Sequence, residues 1–211
     1  MNKYPTNSIK FAARARELFE SDSRANHLYA ALELRLGIEA RTQTYIQTND
    51  QISKEIKNGY HAGKLTKALK ATHSDGKFVA KISFQIDSDK QIVRSSYHFI
   101  PLSENLLGIY NKLGDFLHYK ENGHSFEDAW WDKLKLLLNS GIRDLEVCSN
   151  GGLLGVPIWQ KSTGQINVKL ELASEDPRYE IIKNLAISKE SHIVNVEYSD
   201  TEKYYESARQ D

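Results

Sequence analysis

Arg24-Ala25-Asn26-His27-Leu28-Tyr29-Ala30-Ala31-Leu32-Glu33-Leu34-Arg35-Leu36-Gly37-Ile38-Glu39-Ala40-Arg41-Thr42-Gln43-Thr44-Tyr45-Ile46-Gln47 reads as one long helix, and the fold is read outward from it. Leu28, Leu32, Arg35 and Glu39 recur at helical spacing and form one stripe. Ala31, Leu34, Ile38, Arg41 and Tyr45 form a second. Apolar residues on two sides predict a helix buried between neighbours, with Leu32 deep in the core.

Upstream, Asn7 or Ser8 can cap a first helix carrying Ile9, Phe11, Ala12, Ala15, Leu18 and Phe19, which Ser21-Asp22-Ser23 closes. Downstream, the charged segment 52–72, broken by Gly59 and Gly63, reads as one or two short exposed helices. The period then changes. Phe78, Ala80, Ile82, Phe84 and Ile86 alternate with mostly polar residues, and Val93, Ser95, Tyr97 and Phe99 answer them across a turn at Asp87-Ser88-Asp89-Lys90. That pattern predicts a β-hairpin within 77–100, its apolar face against helices.

Pro101 stops the second strand, and Ser103 with Glu104 starts a helix to about Lys120. After the turn at 121–124, a helix begins near Ser125, with a capping box to Asp128, and carries Phe126, Trp130, Leu134, Leu137 or Leu138, Gly141 and Leu145. Beyond Gly151-Gly152 the chain turns β-like over about 156–198. Ile166, Val168, Leu170 and Leu172 alternate, Asp176-Pro177 opens a helix to Ala186, and a strand runs from His192 to Tyr198. The polar stretch 199–211 reads as a frayed tail. The expected class is α+β: an antiparallel helical core over about 7–148 with a hairpin insertion and a small C-terminal β element, in one domain over 1–211.

Composition narrows the function classes. In 211 residues, 28 basic and 28 acidic side chains cancel, so no global field draws the chain to nucleic acid or an acidic membrane. A neutral chain also invites self-association. The lone cysteine, Cys148, cannot build an internal disulfide and has no cationic neighbour in sequence to activate it. No apolar leader and no stretch long enough to span a membrane is visible, so a cytoplasmic address is expected. No cofactor fingerprint or metal-ligand set occurs, so neither a cofactor nor a metal is expected.

Two constellations could carry chemistry. Asn111, Asp115, His118 and Asn122 share one helix face, opposite Leu106, Tyr110, Leu113 and Leu117. A carboxylate one turn from a histidine can hold its tautomer and raise its basicity, although a solvated polar face reads the same way. Glu33, Arg35, Glu39 and Arg41 bring charge into an otherwise apolar helix. Buried charge demands pairing, so these residues either lock packing or shape a site. Three further features are weaker. Arg94 and His98 are loosely paired on one strand face, Trp130-Trp131 fits a core as well as a stacking platform, and Gly151-Gly152-Leu153-Leu154-Gly155 follows a helix rather than a strand.

The run from His27 to Glu39 resembles the opening core helix of HEPN-type proteins, and Leu113-Gly114-Asp115-Phe116-Leu117-His118 is similar to the later family helix that ends in a histidine. The resemblance implies a helical bundle, often dimeric, from prokaryotic toxin–antitoxin or antiviral systems. Active members carry an arginine, four to six residues, then a histidine on one helix at a dimer interface, and the pair cuts RNA through the substrate's own 2′-hydroxyl without a metal. Here His118 matches the histidine, but no arginine stands in that relation, and Lys112 is the only cation upstream on the helix. The resemblance implies His118, Asp115 and an incoming Arg35 as catalytic residues, Asn111, Arg41 and Glu39 toward the substrate, and a homodimer that engages RNA. Two alternatives stay open: a non-enzymatic interaction or regulatory protein, and a small-molecule binding domain with the hairpin over an apolar pocket.

Overall fold

The computed structural model describes residues 7–21, 23–48, 52–58, 78–88, 91–118, 128–160, 162–163, 165–172, 176, 178–187 and 192–209. Helix α1 (Ser8–Glu20) starts where the Asn7 side chain accepts the Lys10 N–H, filling one of the donors a helix leaves open at its N-terminus. It packs along α2 (Arg24–Thr48), and both lie against α5 (Asp128–Ser149). Helix α4 (Glu104–Leu117) closes the group against α2 and α5, capped by the Ser103 hydroxyl, which accepts the Leu106 N–H. A four-residue helix α3 (Lys54–Lys57) follows α2.

Small residues set the helix spacing. A Cβ on Gly37 would stand 2.5 Å from Leu145 Cδ2, and one on Gly141 2.7 Å from Leu34 Cδ2. Both glycines thus let α2 and α5 approach until Leu34, Ile38, Leu138, Ile142 and Leu145 are fully buried. Partly exposed ion pairs stitch the bundle at its flanks, Arg14 to Glu33 at 2.8 Å and Arg16 to Glu146 at 2.8 Å.

The hairpin is present. Strands β1 (Phe78–Ser88) and β2 (Gln91–Phe99) pair antiparallel from Ala80↔Phe99 to Ser88↔Gln91. The connection is therefore shorter than the four-residue turn expected, because Asp87 and Ser88 continue the ladder. The last strand, β5 (His192–Asp200), joins this sheet on the other side of β1, antiparallel from Phe78↔Asp200 to Ile86↔His192, giving the order β2-β1-β5. The remaining strands, β3 (Ile158–Gln160) and β4 (Gln165–Asn167), form a separate pair. Helix α6 (Arg178–Ile187) precedes β5, and α7 (Thr201–Ala208) follows it. The class is α+β.

Several expectations need correction. Leu32 is 45% exposed; the buried side of α2 is the Ala31, Leu34, Ile38, Arg41 and Tyr45 stripe with His27, Ala30, Gly37, Thr42 and Ile46 beside it. Neighbours cover α2 on one flank, so the apolar residues of the second stripe are left toward its surface. Phe78, expected against helices, is 49% exposed at the sheet margin. The Ile166–Leu172 alternation yields a strand only over 165–167, with an isolated bridge from Leu153 to Leu170 beyond it. The tail is not frayed: Asp200 caps α7, Tyr205 is fully buried, and its hydroxyl donates to the Pro101 carbonyl at 2.8 Å. Arg209 then meets Asp144 with two bonds, at 3.0 and 2.8 Å, and Asp144 also accepts from Ser103 and Asn105. That carboxylate is fully buried, and its four donors are what make the burial affordable. The rest of 59–77, the turn at 121–124, Asn122 and the capping box at Ser125 lie outside the described residues.

Candidate functional site

Helices α2 and α4 meet along a polar flank built by Arg35, Glu39, Tyr110 and Gly114. The one-turn spacing of Arg35 and Glu39 brings Arg35 Nε within 3.4 Å of Glu39 Oε1. The Tyr110 hydroxyl donates to the same carboxylate oxygen at 2.8 Å, and the Arg35 guanidinium lies 5.0 Å from the centre of the Tyr110 ring. Burial, with the Glu39 carboxylate beside it, pushes the Tyr110 phenol up, which keeps it protonated and donating. Arg35 and Glu39 retain 27% and 33% of their side-chain exposure, so the flank remains open to a solute.

Gly114 lies one turn beyond Tyr110 and leaves a gap a side chain would occupy. A Cβ there would stand 3.4 Å from Arg35 Nη1, 3.6 Å from His118 Cδ2 and 3.7 Å from His118 Nε2. The guanidinium and the imidazole therefore reach the same point from two helices. Arg35 divides its donors: Nε goes to Glu39 and Nη1 is directed over Gly114. His118 ends α4 in an extended conformation, its backbone N–H donating to the Gly114 carbonyl at 3.0 Å. The four-residue step from Gly114, with the side chain leaning back toward the helix N-terminus, is what brings its ring over Gly114.

The other expected residues are not drawn in alike. Asn111 and Asp115 are exposed on α4. Arg41 is 3% exposed, lies 4.4 Å from the centre of the Tyr45 ring, and donates to the Gly151 carbonyl at 2.8 Å. It braces α2 against the segment after α5 and does not share the flank. Cys148 is fully buried, and burial pushes its thiol up, away from the reactive thiolate. Of the tryptophans, Trp131 is in the core and Trp130 is half-buried against Phe116. Among the described residues, no group of three or more His, Cys, Asp or Glu could hold a metal ion. Nor, among them, is any helix long and apolar enough to cross a membrane.

Sequence reasoning missed Tyr110 and Gly114 as members of this flank. The signal was present: Tyr110, Gly114 and His118 follow at four-residue steps, so the glycine stands between the two rings. Chemically, an arginine fork beside an imidazole can hold a phosphate group and take a proton from something bound next to it. No family model, curated protein or solved structure matches this chain.

Proposed function

We propose that this protein engages RNA at the Arg35–Gly114–His118 gap and cleaves it without a metal. One observation carries the reading: Arg35 supplies from α2 a cation that α4 itself does not place beside His118. With a phosphodiester at the gap, His118 takes the proton of the adjacent 2′-hydroxyl and the 2′-oxygen attacks phosphorus. The bond to the 5′-oxygen breaks, leaving a 2′,3′-cyclic phosphate and a 5′-hydroxyl that collects its proton from water. Arg35 Nη1 balances the charge that builds on the phosphoryl oxygens, while Glu39 and Tyr110 hold the guanidinium in place. A homodimer working in a prokaryotic defence or toxin–antitoxin setting belongs to this reading, through the HEPN-like resemblance of the two helices.

A cleavage assay on single-stranded RNA tests it. His118→Ala and Arg35→Ala should each lower the rate at least a hundredfold while the melting temperature stays near that of the parent, because His118 is exposed and Arg35 is not in the core. Cleavage that survives His118→Ala would overturn the proposal. A second reading, a non-enzymatic interaction protein, is favoured by a different observation. Tyr29, Leu32 and Leu36 are 59%, 45% and 36% exposed along one side of α2, an apolar stripe suited to a partner's helix. Leu32→Asp should abolish partner binding on that reading and leave cleavage intact on the first.

A further inference from the structure

Among the described residues, one margin of the sheet is partly covered and the other is not. Next to β2, the Leu153 N–H donates to the His98 carbonyl at 3.0 Å, so the segment after α5 covers part of that margin. At the opposite margin, β5 pairs with β1 alone among the described residues. Natural edge strands are usually kept short, broken by proline, or guarded by lysine. β5 is nine residues long and contains neither proline nor lysine. Val194 and Tyr198 are 38% and 58% exposed on the face they share with Val196, and Phe78 next to Tyr198 extends that apolar surface.

We infer that β5 is the seam at which two copies of this chain join, strand against antiparallel strand, into one continuous sheet. The sequence of the strand selects a second copy over a foreign peptide, because it is complementary to itself about Val196. With Val196 on the two-fold axis, each Val194 stands opposite the second copy's Tyr198, and each Asn195 opposite its Glu197. Apolar side chains then meet on one face, and an amide donor meets a carboxylate on the other. Shifting the centre to residue 197 would set two glutamates against each other, and to residue 195 would oppose Glu197 with Ile193. A two-fold axis needs one patch that matches itself, and β5 has such a register. This seam rests neither on RNA cleavage nor on the helical interface that the HEPN-like resemblance implies.

Cysteine cross-linking tests it, since the chain's own Cys148 is fully buried and silent. Facing residues on the axis of an antiparallel pair come within disulfide reach, whereas Val194 lies far from its own copy. Val196→Cys at micromolar concentration should oxidise mostly to a covalent dimer, and Val194→Cys should not. Asn195→Cys mixed with Glu197→Cys should give the cross-linked heterodimer. In parallel, Val196→Asp should turn a dimeric species in sedimentation analysis into a monomer with an unchanged circular dichroism spectrum. If Val196→Asp does not fold, the cross-linking result decides. A monomeric parent protein, or Val196→Cys that links no faster than Val194→Cys, overturns the inference. His118→Ala should leave the dimer intact, so loss of cleavage and loss of the dimer are separately visible.

Discussion

The two stripes of α2 carry similar residues and meet different fates. Each has at least one leucine, and each places an arginine over a tyrosine: Arg41 over Tyr45 on one side, Arg35 over Tyr110 on the other. Along the first stripe, Ala31, Leu34 and Ile38 have no exposed surface, and Arg41 is closed in with the Gly151 carbonyl as its acceptor. Along the second, Leu32 is 45% exposed and Arg35 answers to a carboxylate that solvent also reaches. Composition alone does not assign these roles; what packs against each side does. The buried stripe holds the fold, and the open one stays within reach of solvent.

Mutations on matched positions should separate the two sides. Leu34→Ala removes a fully buried side chain where α2, α4 and α5 meet and should cost about 2–5 kcal/mol in denaturant titration. Arg41→Ala opens a cavity and strands the Gly151 carbonyl, at about 2–3 kcal/mol. Arg41→Met fills the space without the charge and should cost about 1 kcal/mol or less. If both Arg41 variants are neutral, the buried stripe does not depend on its arginine.

Alkaline pH should act chiefly on the buried side. Burial pushes the phenol of Tyr45 up, and that of Tyr205 with it. In the unfolded chain both release their protons near pH 10, so above that pH the unfolded state holds fewer protons than the native one. Stability is therefore intact below about pH 10 and falls as pH rises, by about 1.4 kcal/mol per pH unit for each such group. Tyr45→Phe should flatten that decline, whereas a slope identical to the parent's would show that Tyr45 ionises freely in the fold. The open stripe gives the smallest effects on stability. Arg35→Ala should cost about 1 kcal/mol, and Leu32→Ala about 0.5 kcal/mol, because partly exposed groups already keep part of their hydration in the folded state.

Much of this architecture could be read from periodicity. The helical spacing in α1, α2, α4 and α5 and the alternation in β1 and β2 are local, and each element formed where its pattern stood. What was not legible depended on partners distant in sequence. Leu32 looks as apolar as Leu34, and only the placement of α1, α4 and α5 decides which is covered. The tail was misread because Tyr205 and Arg209 look polar until Pro101 and Asp144 are brought to them. Asp200 was a start signal in plain view, a capping residue ahead of a short helix whose first turn carries Glu202. Of the candidate flank, His118 and Arg35 stand out singly in the sequence, but their convergence on Gly114 depends on how α2 and α4 pack.

The pairing of β1 with β5 also sets a timetable for synthesis. Phe78 emerges from the ribosome long before its partner Asp200, with helices α4 and α5 between them. Until then one margin of the hairpin has no ladder to complete it. Any chain released early keeps that margin bare, exposed to the aggregation that unpaired strands invite. The helices can collapse on local contacts as they appear, but closing the sheet waits for β5 to emerge and for a slow, long-range search. Truncation within β5 should therefore appear less as a weaker fold than as poor yield of soluble protein.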